Sequence, residues 1–399
     1  MNSSKISRQR AIIDRRKVSD EIDGLANNEG SAARTKIISI LRDAMSEGQS
    51  EIAKRLKKNP SAGHQCIAAQ SFLTDQLLRL IYDYVTNHIY PVANRSSAER
   101  IAVLAVGGYG RAEMAPHSDI DIAFITPTKR AAWCEQTIEA ILYCLWDLGL
   151  KVGQSSRTVD ETMRMAKADL TIRTALLESR FVWGDRELFE ETRRRFWLEV
   201  AKGSERQFLK QKLEERDNRH KRMGDSRYVV EPNIKEGKGG LRDLQTLYWI
   251  GKYIHRVRSA SELVEVGLLT SAEYSSFRRA EGFLLAVRSH MHLITGRAED
   301  RLTFDLQREV AKRMKFADRT GKSAVERFMQ FYFIQAKRVG SLTGVFLAHL
   351  DDEFAKSSSR AGFFAGWKQK TRTLKGYQVF AGRIAAPSED WFKKDPVRL

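Results

Sequence analysis

Val103–Thr126 reads VLAVGGYGRAEMAPHSDIDIAFIT. An apolar run leads into a glycine pair, and a second apolar run opens with Asp119 and Asp121. The pattern predicts a strand, a glycine turn, a short helix and a second strand. Gly107 and Gly108 carry no side chain, so backbone N–H groups there can approach a phosphate closely. Residues two apart on a strand point to the same side, so Asp119 and Asp121 can share one Mg²⁺. Ser118 precedes the first aspartate and could donate to a phosphate oxygen or cap a turn. The glycine pair, ten intervening residues and the D-x-D together point to nucleotidyl transfer. A lone D-x-D would be as consistent with a solvated turn.

Working outward, residues 34–57 and 64–93 have helical apolar spacing, with Pro91 closing the second. Ile101–Gly107 and Asp119–Thr126 are expected strands, Ala131–Leu148 an amphipathic helix and Leu150–Val159 a third strand. This order suits a small mixed sheet with helices packed on it. From residue 204 helical patterns dominate, at Gln207–Met223, Leu241–Val257, Ala272–Thr295 and Ser323–Leu350. They describe a helical bundle. Tyr377–Ile384 alternates weakly, as a strand would. The expected fold class is α+β. A partly disordered polar tract (1–33) precedes a transferase domain with its leading helices (34–200), a helical domain (204–355) and the start of a further segment (356–399).

The string GGYGRAEMAPHSDID resembles the PII-protein uridylyltransferase/uridylyl-removing family, within the DNA polymerase β-like nucleotidyltransferase superfamily. EPNIKEGKGGLRDLQTLYW (Glu231–Trp249), LKVGQSSRT (Leu150–Thr158) and LLESRFVWGD (Leu176–Asp185) resemble it too, in the expected order. The resemblance implies Mg²⁺-dependent transfer of UMP from UTP to a tyrosine of the PII signalling protein, with release of pyrophosphate, in the cytoplasm. Family members are about twice as long and continue into an HD-type hydrolase domain and glutamine-sensing ACT domains. None of the eight histidines is followed by aspartate, so the chain reads as a truncated member. Two alternatives stay open: an adenylylating enzyme of the glutamine synthetase type, or a catalytically weak fragment that binds UTP and PII.

The superfamily's third carboxylate is not obvious. LKVGQSSRT contains no acid, and Glu178 is the nearest substitute, either as a third ligand or as the structural partner of Arg180. Arg111 could fork onto a triphosphate or hold the short helix through a salt bridge. His117 is read as positioning rather than as a base. Lys235, Gly239, Gly240 and Arg242 open onto a helix, whose N-terminal N–H groups favour anions. They are candidate nucleotide contacts, or else a domain junction that needs glycine for close packing.

Composition narrows the class. Hydrophobic residues make up 42% of the 399, ample for a core, and no apolar run reaches the ~18 residues a membrane span needs. Cys66, Cys134 and Cys144 lack metal-ligand spacing and are expected to be buried thiols. The net charge is +18, half of it within residues 1–20 and 352–399. No aromatic-basic motif accompanies it, so no nucleic-acid partner is expected. RTGKS at 319–323 lacks the glycine a phosphate loop needs at position 316, which is Phe316. His290 and His292 diverge by ~200° on a helix and cannot share a metal.

Overall fold

A computed structural model describes residues 6–92, 96–127, 131–357, 372–374, 377–380 and 383–385. Three helices open the chain: α1 (Arg15–Glu29), α2 (Arg34–Lys58) and α3 (Gly63–Tyr84). The tract expected to be partly disordered therefore carries a helix. Asp14 caps α1 by accepting from the Lys17 N–H, and Val18, Ile22 and Ala26, four apart, are buried. So few apolar residues in a charged tract hide the stripe from a compositional reading. α3 is buried on nearly every side, as a central helix should be. It ends at Tyr84 and passes into a wider turn, Val85–Ile89, so the predicted helix 64–93 is shorter than expected.

The transferase sheet follows: β1 (Ala102–Ala105), α4 (Gly107–Gly110), β2 (Ile120–Thr126), α5 (Ala132–Asp147), β3 (Val152–Thr158), α6 (Val159–Ala168), α7 (Leu170–Leu177), β4 (Arg180–Gly184) and α8 (Arg186–Arg195). Strand order is β3-β2-β1-β4. β1 runs antiparallel to β2 and β4, and β2 runs parallel to β3, so the sheet is mixed as expected. Its fourth strand was not anticipated. β4 is short, is flanked by charge and pairs through an irregular register at Val103/Leu104, which blurs its period of two. One sheet face (Val103, Ala105, Ile120, Ile122, Phe124) packs on the N-terminal helices and α5, and the other (Leu104, Ala123, Ile125) on Leu188 and Phe189 of α8.

The helical part comprises α9 (Glu205–Arg222), α10 (Leu241–His255), α11 (Glu262–Glu265), α12 (Ser271–Thr295), α13 (Phe304–Arg313) and α14 (Ala324–Ser357). A capping box, Thr270 with Glu273, starts α12, and Gly296 in the left-handed region ends it. The bundle core also takes in Met163, Leu176, Phe196 and Val200, so packing runs continuously across residue 200. Strands β5 (Arg372–Leu374), β6 (Tyr377–Phe380) and β7 (Arg383–Ala385) form an antiparallel sheet; β6 lies within the single strand expected at 377–384 and β7 overlaps its end. The rest of segment 356–399 beyond α14, with most of its basic charge, lies outside the described residues. All three cysteines are free and buried. Among the described residues no helix is long and apolar enough to cross a membrane.

Candidate active site

The D-x-D sits where β1 ends and β2 begins. Asp119 is exposed just ahead of β2, and Asp121 is half-buried as its second residue. The Val106 N–H donates to the Asp121 carbonyl at 3.0 Å, which brings the glycine turn beside the aspartates. Gly107 has φ +58°, and a Cβ on it would lie 2.9 Å from Asp121 Oδ2. Across the parallel pair Asp121 faces Gly153, where a Cβ would lie 2.5 Å from Oδ1. Two glycines thus make the slot that Asp121 occupies, one on either carboxylate oxygen.

Burial and the neighbouring Asp119 push the Asp121 carboxyl above the usual range, and the Lys235 ammonium opposes them. Of the second motif, Lys235 is therefore the residue whose charge reaches Asp121. Its own pKa is lowered, first by burial and then by Arg288. Ser118 Oγ is buried without a protein partner, beside Asp119. His117, exposed, adopts φ +58°, and this left-handed residue swings the loop into Ser118 and Asp119.

Other expected contacts lie elsewhere. Arg111 is buried, with Nε on Glu113 Oε2 at 2.7 Å and Nη1 on Glu178. Burial disfavours its charge, but the two carboxylates more than offset this and raise its pKa. Its guanidinium is committed to the interior rather than to a triphosphate. Glu178 also accepts from Trp249 Nε1, and Arg180 pairs bidentately with Asp75 at 2.7 and 3.0 Å, not with Glu178. Among the described residues no group of three His, Cys, Asp or Glu side chains is arranged to hold a metal. Glu178 is thus engaged through one oxygen, Oε1, by two donors of the interior, which fits the structural role better than that of a third ligand.

Gly239 donates its N–H to Asp243 Oδ2 at 2.8 Å, and Gly240 donates to the Gly237 carbonyl at 2.9 Å. Neither donor is left for a phosphate, and a Cβ on Gly239 would strike the Ala336 carbonyl at 2.6 Å. These glycines pack the junction. Arg242 turns to Glu236 (2.9 Å) and Gln245 (2.8 Å) and stacks on Trp249.

Sequence reasoning missed a connection from the bundle to the catalytic loop. His292, fully buried on α12, donates from Nδ1 to the Pro116 carbonyl, and its Nε2 faces Asp300 Oδ1 at 3.4 Å. Asp300 also accepts from Arg288 Nε at 2.6 Å and lies 3.9 Å from Lys235 Nζ. Burial disfavours the Asp300 carboxylate, but His292 and Arg288 hold its pKa well below the usual range. Nothing in the sequence marks His292 as a partner of Pro116, which is distant in the chain. Gly153 did carry a signal, since a glycine inside a strand marks close backbone approach. His290 instead bonds the Pro60 carbonyl at 2.9 Å, so the two histidines do diverge.

The arrangement suits a hard divalent cation. Two carboxylates lie two residues apart at the start of β2, close enough for the Asp119 charge to act on Asp121, the more buried one is held in a fixed slot, and a lone hydroxyl stands beside them.

Comparison with known proteins shows the family. A family model for nucleotidyltransferases of the DUF294 type matches residues 48–165, and one for GlnD PII-uridylyltransferase matches residues 207–347. A protein of Erythrobacter litoralis named bifunctional uridylyltransferase/uridylyl-removing enzyme is 66% identical over 399 residues, all of this chain and 43% of that relative. Relatives of the same name are 62% identical over 395 residues in Novosphingobium aromaticivorans (99% of this chain, 43% of the relative) and 44% over 401 in Rhodospirillum rubrum (100% and 43%). The chain therefore belongs to the uridylyltransferase/uridylyl-removing enzyme family of nucleotidyltransferases, spanning about 43% of the length of these curated relatives.

Proposed function

We propose that this chain transfers UMP from UTP to a tyrosine hydroxyl of the PII protein in the cytoplasm, with Mg²⁺, releasing pyrophosphate. The observation that carries the reading is the Asp119/Asp121 pair, with Asp121 held between Gly107 and Gly153. Mg²⁺ held by Asp119 and Asp121 would neutralise charge on the phosphate oxygens as transfer proceeds. Gly107 and Gly108 open the short helix α4, whose first N–H groups have no intrahelical acceptor and can approach the triphosphate. The unpartnered Ser118 hydroxyl donates to a phosphate oxygen. Lys235 adds positive charge from the bundle side.

The acceptor oxygen attacks the α-phosphorus in line as the bond to pyrophosphate breaks. An unperturbed tyrosine has a pKa of ~10, so its proton needs an acceptor. Asp121 would serve both roles, holding the metal and taking this proton. Holding both partners in line supplies most of the acceleration asked of the protein.

A second reading, UTP and PII binding with little turnover, draws on the want of a third carboxylate among the described residues. One experiment separates them. The purified chain is incubated with PII, Mg²⁺ and α-labelled UTP or ATP, beside an Asp119→Asn/Asp121→Asn variant. Label on PII from UTP, with the parent only, is the expected result. Label from ATP alone would make the chain an adenylylating enzyme, and no label from a folded parent that binds UTP would leave the binding reading.

A further inference from the structure

A second large cleft lies along β4, away from the aspartates. It encloses about 1520 Å³ between β4 and α8 on the transferase side and the end of α10 on the bundle side. Nine arginine and lysine side chains line it against three glutamates. Three of those cations are matched within the chain: Arg100 by Asp185, Arg180 by Asp75 and Arg193 by Glu190. Arg186, Arg194 and Arg256 are exposed and have no carboxylate partner among the described residues. Lys252 lines the same wall, and burial lowers its pKa. Such a surface takes a polyanion.

The aromatic side chains decide which kind. Stacking of nucleic-acid bases needs open ring faces. Here guanidinium groups cover them: Arg79 on Trp183 at 5.0 Å, Arg186 on Phe181 at 5.3 Å, Arg193 on Phe189 at 5.9 Å and Arg256 on Trp197 at 5.5 Å. Stacked arginines present their N–H edges outward, where a carboxylate is bound as a fork. Leu198, 58% exposed, adds an apolar foothold that a protein side chain uses and a phosphate backbone does not.

One end of the cleft also lies near the reaction. Ala105 on β1 pairs with Ile122 on one side and with Arg180, which lines the cleft, on the other. Two strand spacings, roughly 10 Å, thus separate the near end of the cleft from the Asp121 strand. Given the transfer to a protein acceptor proposed above, on which the assignment rests, we infer that this cleft is the docking groove for an acidic segment of that acceptor. It holds the acceptor while the hydroxyl-bearing residue reaches Asp121.

The test is a triple variant, Arg186→Glu/Arg194→Glu/Arg256→Glu, in the full chain, with circular dichroism to confirm the fold. The expected result is a KM for PII raised at least ~10-fold, with kcat at saturating PII and the affinity for UTP close to the parent. The parent KM rises with salt and the variant KM changes little. An unchanged KM for PII in a variant that still labels it overturns the docking groove alone. So does a single-stranded RNA oligonucleotide that binds the parent and not the variant while PII labelling is unaffected. A parent that binds UTP but neither binds nor labels PII overturns the transfer reading, and the groove with it.

Discussion

Gly153 stands directly opposite Asp121 in the parallel β2–β3 pair, so close that a methyl group on it would lie 2.5 Å from Asp121 Oδ1. Gly153→Ala must therefore move the carboxylate. The backbone at Gly153 is ordinary strand, so alanine adds no strain of its own. We expect a folded protein whose transfer rate or Mg²⁺ affinity falls ~10–100-fold, the range seen when groups that orient metal ligands are changed. Titration of activity against Mg²⁺ beside a thermal melt checks this. Parent-like Mg²⁺ dependence would show that Asp121 does not need the slot.

Glu178 gives a prediction that separates two roles. It accepts from both Arg111 and Trp249 in the interior. Glu178→Ala leaves Arg111 with Glu113 alone and Trp249 Nε1 without its acceptor, and should cost about 3 kcal/mol. Glu178→Gln keeps an acceptor oxygen and should lower the melting temperature less. In both, the Mg²⁺ concentration for half-maximal activity should match the parent. A stable Glu178→Gln protein with a shifted Mg²⁺ requirement would instead make Glu178 a metal ligand.

What the sequence made legible follows from range. The D-x-D, the glycine turn and the strands beside them are local, and local spacing is enough to read them. Helices with a clear apolar stripe, such as α2 and α12, were legible for the same reason. α1 was not, since its buried face is three residues wide in a charged tract. Arg111 looked like a site residue because it lies inside the motif, and Glu178 because it is the nearest acid after the expected third strand. Their roles depend on Trp249, which α10 brings in from the bundle. The slot around Asp121 needs the β2–β3 register, which spacing alone does not fix.

His292 ties the bundle to the loop that carries the aspartates. Its Nδ1–H donates to the carbonyl of Pro116, two residues before Ser118. His292→Phe keeps the ring volume and removes that donor. We expect kcat to drop by about tenfold, because a small displacement of the reacting groups is costly. KM for UTP should change little, since His292 does not line the triphosphate. A variant with full kcat would show that the loop holds its position without the bundle.

Glu281 sets a pH dependence of stability. Its carboxyl is buried on α12, facing Arg278 at 2.7 Å, His64 at 3.6 Å and the Glu113 and Arg111 charges. Burial, with Glu113 adding repulsion, pushes its pKa up from 4.5 to about 8. The folded chain therefore holds a proton that the unfolded chain releases. The stability this contributes is complete below about 4.5 and is lost as the pH rises through about 8. His64 is shifted the opposite way, first by burial and then by Arg278, so its effect falls below its ordinary value of 6.5. The window from 6.5 to 9 isolates Glu281. Across it the parent melting temperature should fall several degrees further than that of Glu281→Gln, whose amide does not titrate. Parallel melting curves over that window would mean that Glu281 is already ionised at pH 6.5, with Arg278 alone sufficient to hold its charge.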